Sequence, residues 1–107
     1  REATRAVARR KSQMHVAGAH ANAGLPDSAR AVLMRARGDA AVDPNRELSA
    51  IEAAVRVMLG EKDIAVERLT HYLAANPNHR AGFASRTGWW WRGLQGYPKF
   101  ESLIAGR

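Results

Sequence analysis

The side chains best suited to metal chemistry in this sequence are its four histidines. His15 and His20 are five residues apart, so on a helix they point about 140° apart and cannot chelate a metal as an i, i+4 pair would. His71 and His79 flank a predicted helix end and have no matching pair of ligands nearby. We therefore expect histidines that are solvated or cap helix ends, and no metal site.

Paired carboxylates are the other candidates for chemistry. Asp63 and Glu67 are spaced i, i+4 and would share a helix face, as a general acid and base could. Acidic residues in a first turn also stabilise the helix dipole, and Lys62 and Arg68 are close enough for surface ion pairs. The sequence has no glycine-rich phosphate loop, nucleophile elbow or Ser-His-Asp spacing. We predict ion-paired surface carboxylates, no catalytic residue, no cofactor and no enzymatic activity.

A basic cluster near the start of the chain is a candidate binding surface. It consists of Arg5, Arg9, Arg10 and Lys11, in which Arg5 and Arg9 are i, i+4 neighbours on a predicted helix. Such a cluster could bind nucleic-acid phosphates or acidic lipid headgroups. No base-reading motif accompanies it. We predict a solvated or partner-facing helix, with electrostatic binding of nucleic acid or an acidic membrane surface as the alternative.

Positive charge is concentrated at both ends of the chain. The formal net charge is +7, of which residues 1–11 and 80–107 each carry +4, while residues 12–79 carry −1. Because the middle of the chain is close to neutral, any electrostatic binding surface is expected at the ends.

Three adjacent tryptophans form the most unusual segment. Trp89, Trp90 and Trp91 cannot all face the same way in a helix or a strand, so at least one indole is expected to point outward. One interpretation is that Trp89 or Trp91 shields the last apolar face of the fold. The other is that an outward Trp, flanked by Arg86 and Arg92, anchors a partner protein or a membrane interface.

The composition indicates an all-α fold of about one domain. The chain has 107 residues, is rich in Ala and contains no Cys, so it has no disulfide framework. No apolar run is long enough to cross a bilayer, because Arg56, Lys62 and Arg68 interrupt the most apolar stretch. There is no initiating Met and no signal-peptide pattern, so we expect a piece of a longer protein. The compartment stays open, with the cytoplasm favoured.

Helical spacing and turn residues predict four main helices in two hairpins, followed by a capping tail after Asn76. We expect a first hairpin in residues 1–42, a second in 43–79 and the tail in 80–107. Within these segments, the predicted helices are residues 3–23, residues 26–37, a third that starts at Pro44 after an Asp43 cap and runs to Gly60, and a fourth that ends before Asn76-Pro77.

The two predicted hairpins repeat. Gly24, Ala29 and Leu33 recur with the same spacing 36 residues later, as Gly60, Ala65 and Leu69. A regular offset of this length is typical of helical repeats, in which each hairpin buries one face and small residues allow helices to approach closely.

This pattern resembles a degenerate tetratricopeptide repeat, with a turn Gly, a small Ala five residues later, a large apolar residue four further on, and a closing Pro. The matching residues are Gly24, Ala29, Leu33 and Ala36 in the first unit and Gly60, Ala65, Leu69 and Pro77 in the second. The usual aromatic early in the first helix is missing from both units, and Pro44 comes three residues late.

The tail resembles the closing segment of bacterial repeat proteins, through Trp89–Leu94, Tyr97–Phe100 and Leu103. Together the two resemblances cover about residues 12–105. They imply a short solenoid with an aromatic cap that binds another protein, as the repeat region of a larger bacterial regulator or as an accessory subunit of a complex. Two repeats are fewer than the three or so that such folds need, so we expect residues 12–79 alone to fold poorly.

Overall fold

The computed structural model describes residues 2–38, 43–80 and 93–105. These residues include five α-helices and a 3₁₀ turn, with Gly93 and Leu94 also in 3₁₀ conformation, and they contain no β-strand. The prediction of an all-α chain is confirmed for this part of it. The helices are α1 (Glu2–Asn22), α2 (Pro26–Ala36), α3 (Glu47–Met58), α4 (Lys62–Ala75) and α5 (Pro98–Ile104), and the 3₁₀ turn is Pro77–His79.

The turn between α1 and α2 is built on a left-handed glycine. Gly24 has φ 76°, a conformation that costs a residue with a side chain roughly 1–2 kcal/mol. The amide of Leu25 donates to the carbonyl of His20 at 2.9 Å. The amide of Gly24 donates to Ala21 at 3.2 Å. These two bonds satisfy the last carbonyls of α1, and Pro26 then begins α2 without needing a donor.

The turn between α3 and α4 repeats this geometry 36 residues later. Gly60 has φ 77°, and its amide donates to Val57 at 3.0 Å. The amide of Glu61 donates to the carbonyl of Arg56 at 2.9 Å, as Leu25 does to His20. The 36-residue spacing found in the sequence is therefore a repeat of backbone geometry as well.

The start of α3 differs from the prediction. Pro44 and its neighbour form a turn, Arg46 adopts a left-handed φ of 57°, and the helix begins only at Glu47, three residues later than predicted. The capping role predicted for Asp43 nevertheless holds, because its buried carboxylate accepts the amides of Glu47 at 3.0 Å and Leu48 at 2.8 Å. Arg46, the residue directly before α3, makes no side-chain capping bond, and the carboxylate of Asp43 caps the helix from three residues earlier.

The described part of the tail contains a third left-handed glycine at the same 36-residue spacing. Gly96, 36 residues after Gly60, has φ 81°. Pro98 then begins α5 as Pro26 begins α2. The amide of Tyr97 donates to the carbonyl of Leu94 at 3.0 Å. This segment, predicted as a tail, therefore shares the glycine and the helix start of the first two turns. Its described hydrogen bond reaches back three residues, whereas those of Leu25 and Glu61 reach back five.

The helices pack in pairs around two apolar clusters. α1 packs along α2 and α3, and α3 packs along α4. The first cluster joins α1, α2 and α3 through the buried residues Met14, Ala17, Leu33, Ala36, Leu48 and Val55. The second joins α3 and α4 to the tail through Ala53, Ala65, Val66, Leu69, Leu94 and Phe100.

The tail passes very close to α3. A Cβ on Gly93 would lie 2.8 Å from Cγ1 of Val57, closer than real Cβ contacts, so a side chain at position 93 would force one of the two residues to shift. Leu94 and Phe100, which follow, have 0% and 1% of their surface exposed. The described tail residues therefore complete the core of the second helix pair. Among the helices described, none is both long and apolar enough to span a membrane.

Candidate interaction site

An open apolar groove of about 540 Å³ runs between α1 and α3. Its walls are one face of each helix, and the polar side chains among them are His15 and Asn22. The lining residues are Met14, His15, Gly18, Ala19 and Asn22 from α1 and Ala50, Ile51, Ala54, Val55 and Met58 from α3.

The two walls of the groove are equivalent in the repeat. Each lining residue of α1 has its counterpart in α3 36 residues later, so that Gly18 corresponds to Ala54. Small residues at these positions leave the space open. Gly18 has no side chain, and a Cβ there would fill part of the gap by making an ordinary contact, 3.8 Å, with Cγ2 of Val55. The groove is therefore a consequence of the repeat and its small residues, and the sequence reading did not identify it.

A charged network lies on the opposite face of α3. Glu52 has no exposed surface, and Arg37 donates two hydrogen bonds to its carboxylate, at 2.8 and 2.7 Å. Arg56, one helical turn later, donates a third at 3.0 Å. Nε of Arg68 forms an ion pair with Oε1 of Glu52 at 3.3 Å, but this buried nitrogen makes no hydrogen bond. One buried carboxylate thus holds guanidinium groups from three parts of the fold.

The network continues through Glu61 at the start of α4. Its carboxylate accepts hydrogen bonds from Arg56 and from Arg30 of α2, each at 2.7 Å. Burial raises the pKa of Glu61, but the two arginines outweigh it and hold that pKa below its usual range. Arg30 also pairs with the exposed Asp27 at 3.0 Å. These contacts connect α2, α3 and the start of α4.

Two residues of the predicted basic cluster are occupied by internal contacts. Arg10 donates to the carbonyl of Arg37 at 2.7 Å and to that of Arg35 at 3.4 Å, at the negative end of the α2 dipole. Lys11 forms an ion pair with Glu47 at 3.2 Å. These two side chains fix α1 against the ends of α2 and α3. Arg5 and Arg9 are exposed.

The remaining residues predicted to bind a partner lie outside the described residues. They are Arg86, Trp89, Trp90, Trp91 and Arg92. Their role as a partner anchor or an aromatic cap stays a prediction.

The histidines occupy separate positions. His15 lines the groove, and His71 is exposed on α4. Nδ1 of His79 lies 2.5 Å from the hydroxyl of Tyr72, and the two rings are 5.5 Å apart between centroids. Within the described ranges, no group of three or more His, Cys, Asp or Glu residues is arranged to hold a metal ion.

Asp63 and Glu67, the carboxylates considered for acid–base chemistry, have different surroundings. Asp63 accepts a hydrogen bond from the hydroxyl of Tyr97 and pairs with Lys99 at 3.2 Å, and both partners lower its pKa. A general acid needs a raised pKa, so these contacts favour an ion-pairing role. Lys62 lies 5.6 Å from the centroid of the Tyr97 ring. Glu67 is exposed. Asp63 therefore attaches the tail to α4.

The sequence reading missed Glu52, although a signal was present. An acidic residue inside the apolar stripe of α3, with Arg56 four residues later, indicates a buried ion pair. The other two partners, Arg37 and Arg68, are 15 and 16 residues from Glu52 and could be identified only once the helix packing was known.

Comparison with known proteins gives no relative from which a function could be transferred. No protein family, curated protein or solved structure matches this chain. A function has to be inferred from its own residues and contacts.

Proposed function

We propose that this chain is a protein-interaction module whose docking surface is the apolar groove between α1 and α3. The observation that carries the proposal is the groove itself, about 540 Å³ in volume and lined mainly by apolar side chains. An open apolar surface of this kind is the usual location for a partner segment.

The architecture that supports such a module is a short tetratricopeptide-like solenoid. Left-handed glycines at 24, 60 and 96, all 36 residues apart, support it, as do the fully buried Ala29 and Ala65 that follow the first two. Stacked repeats create an extended surface from equivalent positions, which accounts for two groove walls with matching residue positions. The module would serve as a repeat region of a larger bacterial regulator or as an accessory subunit of a complex.

The partner we propose is an amphipathic helix with acidic residues beside its apolar face. The formal charge of +7 lies at the two ends of the chain, so it would repel a second copy and attract acidic residues that flank the bound segment. The groove walls lie within residues 12–79, which carry −1, and they would bind the apolar face of the partner. The wall from Ala50 to Met58 contains nine residues, and the rise from the first to the last is about 12 Å of helix. A groove of that length accommodates roughly two turns of a partner helix.

A short synthetic peptide tests this proposal. It carries leucines at i, i+3, i+4 and i+7 and glutamates elsewhere, and its binding is followed by fluorescence anisotropy. Met58→Glu places a charge in the groove and is expected to weaken binding about tenfold through lost apolar contact and like-charge repulsion. Val16→Glu is the matched control, since Val16 is 49% exposed and does not line the groove.

The same experiment distinguishes the electrostatic alternative. The observation that favours it is the exposure of Arg5 and Arg9. If a glutamate peptide without leucines binds equally well and is released by moderate salt, the basic end is the binding surface and the groove proposal is wrong. Equal weakening by both glutamate variants would also contradict the groove.

The predicted tryptophan anchor gives an independent prediction. Ala50 and Ala54 line the groove, and the residues 36 positions later in the sequence are Arg86 and Trp90. Trp90→Ala is expected to weaken peptide binding and to leave the fold intact, because an outward anchor contributes contact area and little core packing. Loss of helical circular dichroism in this variant would contradict that role.

A further inference from the structure

The two helices that form the groove run in the same direction. Just before the walls begin, Nζ of Lys11 on α1 pairs with the carboxylate of Glu47 on α3 at 3.2 Å. Further along, a Cβ on Gly18 would lie 3.8 Å from Cγ2 of Val55. Both residue numbers increase between these two contacts, which join positions 36 and 37 residues apart. α1 and α3 are therefore parallel, and equivalent positions of the repeat lie at the same level of the groove.

The two walls differ in polarity at two of these levels. The α1 wall carries His15 and Asn22. The residues 36 positions later, on the α3 wall, are Ile51 and Met58. One side of the groove therefore presents an imidazole and an amide where the other side presents two apolar side chains. Walls of unlike polarity distinguish the two sides of a helix that is bound between them.

The polar pair on α1 is available to a bound segment. His15 and Asn22 are seven residues apart, so they lie on the same face of the helix, about 10.5 Å apart along its axis. Both residues are exposed. Neither side chain makes a hydrogen bond or an ion pair with another described residue. The N–H of the imidazole and the NH₂ of the amide can therefore donate hydrogen bonds to a partner.

Glutamates on one side of a partner helix fit this pair of donors. Residues i and i+7 of the partner have the same spacing as His15 and Asn22. A carboxylate at each of these positions would accept one hydrogen bond, and such bonds are stronger than those to a neutral acceptor. The same carboxylates next to Ile51 and Met58 would lose water without gaining a hydrogen bond. The side of the partner that carries the glutamates is therefore favoured next to α1.

We propose that His15 and Asn22 determine the direction in which an acidic amphipathic helix docks in the groove. Turning such a helix end to end, with its apolar face still in the groove, exchanges the side that contacts α1 with the side that contacts α3. Glutamates on one side of the apolar face thus select one direction of docking. This inference rests on the proposed docking groove and adds the two residues that recognise the polar side of the partner.

Two synthetic peptides test the direction. Both carry the leucine stripe, but the side of the stripe that has glutamates at i and i+7 in one peptide has glutamines in the other, and the reverse. A nitroxide label at the N-terminus of each peptide broadens nearby amide signals of the chain. The label of one peptide is expected to broaden signals at Met14 and Ala50. The label of the other should broaden those at Asn22 and Met58, so that the glutamates lie next to α1 in both complexes. Each peptide should disfavour the opposite direction about tenfold.

A double variant removes the difference between the walls. His15→Ile with Asn22→Met gives α1 the residues that α3 has at the equivalent positions, and both positions are exposed, so the fold should be retained. This variant is expected to bind both peptides, with the label broadening the two ends of the groove about equally. His71→Ile is the matched control, because it replaces an exposed histidine that does not line the groove and should leave both directions unchanged.

The outcomes separate this inference from the docking proposal on which it rests. Docking of both peptides in the same direction would overturn the inference, as would a direction that persists in the double variant. In either case, peptide bound at the groove walls would still support the docking surface. If neither peptide shifts or broadens signals on either wall, the proposed function is wrong and the inference is wrong with it.

Discussion

Glu52 holds three arginines from different parts of the fold around one buried carboxylate. Its side chain is 0% exposed, and its contacts reach the end of α2, the last turn of α3 and the middle of α4. Such a group contributes little net stability compared with an apolar replacement, but removing it alone leaves its partners uncompensated. We therefore infer that Glu52 specifies how α2, α3 and α4 pack and adds little to net stability.

Glu52→Ala is expected to lower the free energy of unfolding by about 3–5 kcal/mol, because it leaves partly buried arginines without their anion. Urea denaturation followed by circular dichroism measures the change. Glu67→Ala is the control, since Glu67 is exposed, and it should change stability by less than about 0.5 kcal/mol. Equal effects of the two variants would contradict a structural role for Glu52.

Glu61 makes stability depend on acid. Its pKa is held below the usual range in the folded chain, so the unfolded state binds the proton more readily. The stability from Glu61 is present above its unfolded pKa and is lost as the pH falls through its folded pKa. We expect Glu61→Gln to flatten the loss of stability between about pH 5 and pH 2 in denaturation curves. If Glu61→Gln loses stability at low pH as steeply as the original chain does, the acid sensitivity does not come from Glu61.

Individual contacts were the least predictable part of the fold. Periodicity identified the basic cluster, but the roles of Arg10 and Lys11 depend on where α2 ends and α3 begins, which is tertiary information. The separation of His15 from His20 was predictable, because it follows from helix geometry alone.

The helix turns depend on glycines with positive φ. We expect Gly60→Ala to destabilise the fold by about 1–2 kcal/mol, because its φ of 77° strains any residue with a Cβ. Gly18→Ala is the matched comparison within a helix, where its Cβ would make an ordinary contact at 3.8 Å. That change should be neutral or should raise stability by about 0.5–1 kcal/mol. Thermal melts of both variants give the test, and equal destabilisation would contradict it.

The helices α1, α2 and α4 were predictable because their ends are marked by Gly24, Pro26, Gly60 and Asn76-Pro77. The start of α3 was not, since the left-handed Arg46 has no sequence signature and Asp43 caps from beyond the turn. The third turn was also missed, although the spacing from Gly60 to Gly96 was visible in the sequence.

At the scale of the whole molecule, the tail completes the core. Leu94 and Phe100 pack with Ala53, Val66 and Leu69, so removing the tail exposes the second cluster. We expect residues 12–79 alone to show reduced ellipticity and no cooperative melt by circular dichroism, whereas the full chain melts cooperatively. A cooperative melt of this fragment with native-like ellipticity would contradict the account.

The pairing of helices could be predicted, whereas the groove could not. The 36-residue offset predicts equivalent turns, but the open space depends on how closely α1 approaches α3 at Gly18 and Ala54. The sequence instead predicts binding through exposed charges and tryptophans, because these residue types can be identified without any packing information.

The most direct test of the docking groove is to map the binding of the acidic leucine peptide by amide chemical shifts in solution. The account predicts that the largest shifts occur on both walls, at Gly18, Ala19, Ala54 and Met58. They should persist at moderate salt, because apolar burial is little affected by screening. Shifts centred on Arg5 and Arg9, and lost as the salt concentration rises, would contradict the account and identify the basic end as the binding surface.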